Sequence, residues 1–486
     1  MSGSQRVARN VLATLGTQIV SWALTFAVTL YLPRYVGAAG LGKLTFAYAF
    51  MGVFGVLVPL GTSTVLVKEI SRDRARTGEL LTAVILMRLP LSIAMMGIAI
   101  AVVNLLGYSS LLRLLVILAA LGTFAGTLND ALSSALQGLE NLPRQSVALL
   151  VEKFLSAILT MILIFHREPL WTLGAVGLVT GMVSLLVNLS AFRSLLPSLR
   201  LPTWITFRGV LTAGLPFMGW SVFQTLYGQT DPIVLKFMTN DVTVGWYSAA
   251  FRLVGSTLFL PTAITTALLP TLSRLYRENE DDFVSLARRM FGIVMLCAVP
   301  IFIVLLTMPE RLIAMMHYPK EFAGSIPVLR VGSFGSLLWF AGCVLGTLLI
   351  ARDAQAKMFK LSVWATVLGI PACCLGSWLG NRLCGNGAVG AISSDVALEV
   401  FLVASYLRLL PRGMFNNESV LILCRAAAAS VPMVLLLTLM SRYTTLGLWA
   451  LLPSAILYGI LCLALRCFGP TDLALARSLI VRKAGA

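Results

Sequence analysis

Apolar residues run through this chain in long blocks, broken only by Gly, Pro and short charged clusters. A helix crosses a bilayer core with about 20 apolar residues, and blocks of that length recur here about fourteen times. The predicted spans are 11–33, 41–67, 80–106, 111–136, 147–165, 171–192, 209–230, 242–268, 286–307, 325–350, 358–380, 387–407, 420–440 and 445–466. Backbone groups in lipid must be satisfied inside the spanning segment or around a closed barrel, and these blocks are too long for barrel strands. The pattern predicts an all-α integral membrane protein.

Composition points the same way. The chain is 58% hydrophobic and 12% charged, against about 25% charged residues in a soluble domain. A water-soluble chain with a mean hydropathy of +0.90 would expose apolar patches and aggregate. The block after "MSGSQRVARN" has full spanning length and no small-residue cleavage pattern, so it reads as a retained first span.

Lys and Arg predict the orientation. With the N-terminus cytoplasmic, roughly 24 of the 37 basic residues fall on the inner side. They include Lys68, Arg72, Arg74 and Arg76, then Arg274, Arg277, Arg288 and Arg289, then Arg477, Arg482 and Lys483. An even number of spans places both termini inside. The formal charge of +17 is then explained by topology and anionic lipid, and no nucleic-acid-binding motif accompanies it. All eight cysteines follow residue 296 without disulfide or zinc spacing. His166 and His317 are far apart. No metal or other cofactor is expected.

The chain also echoes itself. "LPRYVGAAGLGKLTFAYAFMGVFGVLVPLGTSTVLVKEISRDR" and "LKFMTNDVTVGWYSAAFRLVGSTLFLPTAITTALLPTLSRLYR" align at one shift. Gly42 then meets Gly245, Ala47 meets Ala250 and Tyr48 meets Phe251, with Pro59 beside Pro261 and Arg72 beside Arg274. A weaker echo joins 137–154 to 348–365. The expected organisation is an N-lobe of six spans (1–192), a cytoplasmic linker (193–208), a C-lobe of six spans (209–408), and two extra spans with a cytoplasmic tail (409–486). Both lobes start inside, so they would be parallel repeats related by a pseudo-two-fold along the membrane normal, with a cavity between them.

The stretch "VGWYSAAFRL" followed by "LPTAITTALLPTLSRLYRE" resembles the middle signature of the oligosaccharide flippase (Wzx-type polysaccharide transporter) family. This family belongs to the multidrug/oligosaccharidyl-lipid/polysaccharide exporter superfamily. The segments "VARNVLATLGTQIVSWALTFAVTLYLPRYVGAAGLGKLTFAYAF", "LGTSTVLVKEISRDR", "LLIARDAQAKMFKLSVWATVLGI" and "GNGAVGAISSD" are also similar to it. The resemblance covers nearly the whole chain. It implies a flippase, not an enzyme. Such a protein moves an undecaprenyl-diphosphate-linked oligosaccharide from the cytoplasmic to the outer leaflet of the bacterial plasma membrane, for O-antigen, capsule or exopolysaccharide synthesis. Membrane lipids, a polysaccharide polymerase and chain-length proteins are the implied partners, and no nucleic acid.

Three alternatives stand beside it. A cation-coupled multidrug exporter of the superfamily typically carries an early acid in its first or seventh span, and residues 11–33 have none. A lipid II flippase has arginines in its first two spans, whereas 11–33 and 44–67 contain no Arg. A membrane-embedded polymerase or ligase usually has a long outer loop; here none is predicted beyond about 20 residues, and no nucleophile–base constellation appears.

Ionisable residues inside spans are costly and mark candidate sites. Arg252 lies deep in the eighth span, and its planar fork suits a lipid diphosphate; the resemblance places an arginine of related lipid II flippases in a similar context. Pairing with Asp231 or Asp395 is the structural reading. Arg88 and Lys153 face either the lumen or the cytoplasmic interface. Arg34 reads as a snorkelling anchor or a lumen residue. Gln18, Gln224 and Gln229 are candidates for sugar hydroxyls or for joining helices. Asp130, Asp231, Asp395 and Glu399 are candidates for ion coupling; the last two are four apart and share a helical face. "NLS" at Asn188 and "NES" at Asn417 match glycosylation acceptors only formally, being membrane-embedded and cytoplasmic in this topology.

Overall fold

The computed structural model describes residues 3–193, 201–411, 413–415, 417–440, 447–465 and 467, without the side chains of 3–15, 18, 19, 191, 193, 220 and 417–420. Residues 194–200 of the expected linker, Arg477, Arg482, Lys483 and the side chains of Gln18 and Asn417 fall outside this description. The helices, in order, are α1 (Gly3–Gly55), α2 (Thr62–Arg72), α3 (Thr77–Leu105), α4 (Ser110–Gly138), α5 (Leu142–Phe165), α6 (Leu170–Arg193), α7 (Trp204–Met238) and α8 (Asp241–Gly255). There follow α9 (Phe259–Glu278), α10 (Glu280–Thr307), α11 (Pro309–Met315), α12 (Ser325–Ala351), α13 (Gln355–Cys384), α14 (Gly387–Leu409), α15 (Asn417–Met440) and α16 (Leu451–Ala464). Among the described residues, eleven helices are long and apolar enough to cross a membrane, and α16 is a shorter apolar helix.

The departures from the predicted spans have local causes. The first two predicted spans meet inside α1, which breaks at Gly37 (φ 68°, ψ 177°), a conformation open to glycine. The second stops at Gly55. A turn with Leu60 and Gly61 at positive φ separates it from α2, an amphipathic helix that buries Val65, Leu66 and Ile70. Helix α7 starts inside the expected linker, where the Thr203 hydroxyl accepts from the Thr206 N–H at 3.2 Å. It then runs through Pro216 and Pro232 to Met238, because neighbouring helices in a membrane bundle can compensate a proline's missing donor. The predicted eighth span is α8 and α9 joined by a 3-10 turn, Ser256–Leu258. Helix α11 was not predicted; at seven residues it is too short to give a spanning signal.

Contacts divide the chain into two compact units: Met1–Arg252 with Ser362–Ala391, and Leu253–Leu361 with Ile392–Ala486. In the first, Leu66, Ile70, Leu80, Leu132 and Leu136 form a core joining α2, α3 and α4. Helices α4 and α6 approach through small residues: a Cβ on Gly122 would lie 3.3 Å from the Gly177 carbonyl carbon. Close backbone packing of this kind replaces the hydrophobic drive that is missing between helices in lipid.

The crossing of α1 and α8 is tighter. A Cβ on Gly42 would stand 1.9 Å from the Asp241 carbonyl oxygen, and one on Gly245 would stand 1.9 Å from that of Ala38. The shift that aligns Gly42 with Gly245 also aligns Ala38 with Asp241. The contact is therefore reciprocal, as across a local two-fold axis.

In the second unit α10 packs against α9, α12 and α15, and α15 against α16. Asn279 caps α10, its Oδ1 accepting from the N–H groups of Asp281 and Asp282 at 3.0 and 3.3 Å. Glu280, Asp281 and Asp282 occupy the first turn, where carboxylates complement the helix dipole.

Candidate functional site

Arg88, on α3, is fully buried. Its Nη1 donates to the Thr127 carbonyl (2.8 Å) and to Asp130 Oδ2 (2.9 Å). Its Nη2 donates to Thr62 Oγ1 (3.0 Å) and Ser63 Oγ (2.8 Å), and its Nε to Thr62 Oγ1 (3.3 Å). Ser63 Oγ donates in turn to Asp130 Oδ2 at 2.5 Å. One guanidinium thus ties α3 to the start of α2 and the middle of α4. Asp130 sits at the edge of this clasp with its side chain 48% exposed.

On other faces of the same unit lies a pocket of about 650 Å³. Helix α1 lines it with Thr17, Ser21, Trp22 and Thr25, a helical spacing that puts them on one face. Asn129, Ser133 and Gln137 of α4 follow at four-residue steps, opposite Gln145 and Ser146 of α5 and Ser184 of α6. Fully buried Asn188 braces this wall. Its Nδ2 donates to Asn129 Oδ1 (2.6 Å) and Ser133 Oγ (3.1 Å), and Asn129 Nδ2 donates to Ser184 Oγ (2.9 Å). Asn188 Oδ1 and Ser21 Oγ are buried without a hydrogen-bond partner. Polar groups away from water are unfavourable unless bonded, so this wall retains capacity for a polar occupant. The same burial keeps Asn188 from acting as a glycosylation acceptor.

Glu152 and Lys153 also line the pocket. Neighbouring helix positions diverge by about 100°. The flexible lysine nonetheless folds back, bringing Nζ to 3.3 Å from Glu152 Oε1. The side chains keep 38% and 26% exposure.

The other predicted residues lie elsewhere. Arg252, in the last turn of α8, is part-buried and within electrostatic reach of the Tyr48 hydroxyl; that hydroxyl donates to the Gly174 carbonyl at 3.3 Å. Asp231 is buried and accepts from the Tyr247 hydroxyl at 2.5 Å. Arg34 stacks over Tyr31, 4.7 Å from the ring centroid. Gln224 is exposed on α7, and the Gln229 side chain lies beside Gly52. In the second unit Asp395 and Glu399 are buried one turn apart on α14, with Glu399 Oε2 facing Gly342 of α12. The Lys236–Asp241 pair (2.5 Å) closes the α7–α8 turn. Among the described residues no group of three His, Cys, Asp or Glu side chains could hold a metal ion.

The structure thus brings Arg88 and Asp130 together, and Lys153 to the pocket. Reading the sequence by its charges missed Ser21, Trp22, Asn129, Ser133, Gln137 and Gln145. On α1 and α4 the signal was the four-residue recurrence of hydroxyl and amide groups in "TQIVSWALT" and "NDALSSALQ"; Gln145 of α5 lies outside both stretches.

The sequence profile of the polysaccharide biosynthesis protein family matches residues 7–276, more than half of the chain. The protein belongs to this family. The MatE profile matches residues 216–375, which places the family in the multidrug/oligosaccharidyl-lipid/polysaccharide exporter superfamily. The capsular polysaccharide biosynthesis protein CapF of Staphylococcus aureus is 29% identical over 159 residues, 32% of this chain and 40% of that protein. The match therefore spans less than half of that relative. The fold is similar to that of the lipid II flippase MurJ in an inward closed conformation (TM-score 0.71, 13% identity, 94% of this chain and 99% of that one). It is also similar to an inward-facing multidrug resistance MATE family transporter (TM-score 0.63, 16% identity, 80% and 97%). The family is one of multi-pass membrane transporters serving polysaccharide biosynthesis, not of enzymes.

Proposed function

We propose that the protein is a flippase. It carries an undecaprenyl-diphosphate-linked oligosaccharide from the cytoplasmic to the outer leaflet of a bacterial plasma membrane by alternating access. The observation that carries this reading is a pocket lined by hydroxyl and amide groups inside an apolar bundle, in a family of polysaccharide-biosynthesis transporters. Sugars and diphosphate lose hydrogen bonds in hydrocarbon, while a polyprenyl tail gains nothing from water. A carrier therefore needs a polar interior for the head, and the tail can remain in lipid. Similarity in fold to a lipid II flippase supports the reading, as does the partial match to a capsular polysaccharide biosynthesis protein.

About fourteen crossings, as two six-helix repeats with a C-terminal pair, belong to the same proposal. The reciprocal contact of Ala38 and Gly42 with Asp241 and Gly245 supports the repeat. The basic bias supports cytoplasmic termini. Labelling of Ser285→Cys by an impermeant thiol reagent in intact cells would reverse that orientation.

Arg252 is our candidate for the diphosphate. Its fork can grip two phosphate oxygens, which a lysine cannot do. Arg88, with five hydrogen bonds already made, is assigned to structure. The test uses a strain whose surface polysaccharide depends on this protein. Without it, the lipid-linked oligosaccharide should stay inaccessible to a glycosidase added outside spheroplasts. Arg252→Ala should behave like the deletion, and Arg252→Lys should restore part of the signal. Normal outer-leaflet accessibility in the deletion strain would remove the flippase reading; normal accessibility with Arg252→Ala alone would remove only the role of the arginine.

A further inference from the structure

We propose that the pocket between α1, α4, α5 and α6 is a binding site for an uncharged sugar unit, separate from wherever the diphosphate is held. This rests on the flippase reading and goes beyond it by dividing the substrate's head between two sites of different chemistry.

Charge is the first argument. The charged residues among those lining the pocket are Glu152 and Lys153, and they form a pair 3.3 Å apart. Their charges cancel. A diphosphate entering here would meet one lysine whose charge is already balanced and one carboxylate that repels it. Among the described residues no guanidinium lines the pocket to grip it. A neutral polyol meets no such penalty, and an ion pair offers its hydroxyls both an acceptor and a donor.

Hydrogen-bonding capacity is the second. A sugar hydroxyl both donates and accepts, and so do the amides and hydroxyls of the wall. The bonds among Asn188, Asn129, Ser133 and Ser184 fix the wall's orientation before any ligand arrives. A fixed polar wall binds without first having to reorganise. Ser21 Oγ, buried and unpartnered, is a vacant group in the lining itself.

Shape is the third. Trp22 gives the pocket one broad aromatic surface. The face of an indole is electron-rich, so it attracts the weakly positive C–H groups on the flat side of a pyranose ring. A pyranose has an apolar face and a polar rim, and this pocket has an aromatic side and a hydroxyl–amide side. Its volume of about 650 Å³ falls within the range of sites that enclose small organic ligands, about 300–1,000 Å³.

The test is protection of an introduced thiol. Ser146 lines the pocket outside the Asn129–Asn188 network, so Ser146→Cys reports occupancy; Leu149→Cys, at another lining position, serves as a second reporter. The full chain is placed in phospholipid nanodiscs free of glycoside detergent. N-ethylmaleimide labelling is followed above the background of the eight native cysteines. Three probes are compared: the undecaprenyl-diphosphate-linked oligosaccharide fraction of the host strain, undecaprenyl diphosphate without sugar, and the released oligosaccharide.

At about ten times its dissociation constant the sugar-bearing lipid should slow labelling roughly tenfold. The sugarless lipid should leave labelling unchanged, and the free oligosaccharide should protect at higher concentration. Trp22→Ala should abolish the protection and Trp22→Phe should keep most of it. Equal protection by the sugarless lipid would overturn the proposal in favour of an anion or tail site. Absence of protection at both reporters, with the protein still transporting, would overturn the sugar site and leave the flippase reading standing. Loss of the flippase reading itself would show separately, as wild-type protein that moves no lipid-linked oligosaccharide.

Discussion

Two of the ion pairs in the first unit, Arg88–Asp130 and Glu152–Lys153, belong to helices that the sequence marks as membrane spans. Arg88 on α3 is fully buried and makes five hydrogen bonds to three partner side chains and one carbonyl. Lys153 on α5 keeps 38% exposure and has Glu152 as its ion-pair partner. Depth in a span does not separate them, because both interrupt apolar helices. The number of directed partners does. A guanidinium whose donors all point into protein holds helices together. An ammonium on a flexible stem, beside a cavity and balanced by its neighbour, stays available to an occupant.

The comparison can be broken at its strong end first. Arg88→Ala empties a fully buried site and takes the donor from Thr62, Ser63 and the Thr127 carbonyl, and each buried group left unbonded costs about 1–3 kcal/mol; Asp130, with its side chain 48% exposed, can turn to water. The expected outcome is a large fall in the detergent-solubilised melting temperature, and little protein in the membrane. Arg88→Lys should recover only part, since one ammonium cannot reach both α2 and α4. An unchanged melting temperature for Arg88→Ala would contradict the clasp.

The weak end gives a smaller effect of a different kind. Lys153→Gln and Glu152→Gln should each change stability by at most about 1 kcal/mol, as half-exposed pairs do. The double variant should show little coupling in a thermal-melt cycle. Substrate transport should still respond to these changes, because both groups line the pocket. A coupling energy as large as that of a buried clasp would erase the distinction.

How much of this was legible in the sequence follows from the range of each interaction. Apolar block length showed most helices, because the bilayer acts on each span separately. The extension of α7 was not legible: Asp231 and Pro232 read locally as a stop, while the packing that carries the helix past them is tertiary. Arg88 and Asp130 were each conspicuous as charges in apolar runs. Their partnership, across a whole helix and a turn, was not. The pairing of Gly42 with Gly245 by repeat was visible, but not that the equivalent residues touch. The pocket wall left a faint signal because Ser, Thr and Asn are common in membrane helices. Their four-residue recurrence becomes meaningful only when two helices present such faces to each other.

The most direct measurement of the central claim is leaflet transfer in proteoliposomes with the pocket open or filled. The purified protein should expose lipid-linked oligosaccharide, loaded on one leaflet, to a glycosidase on the other side. Ser146→Trp puts an indole into the pocket without touching the Asn129–Asn188 network. The account predicts a folded variant with near wild-type melting and little or no transfer. Transfer by Ser146→Trp at the wild-type rate would contradict it, because the sugar would then be crossing by a route that does not include this pocket.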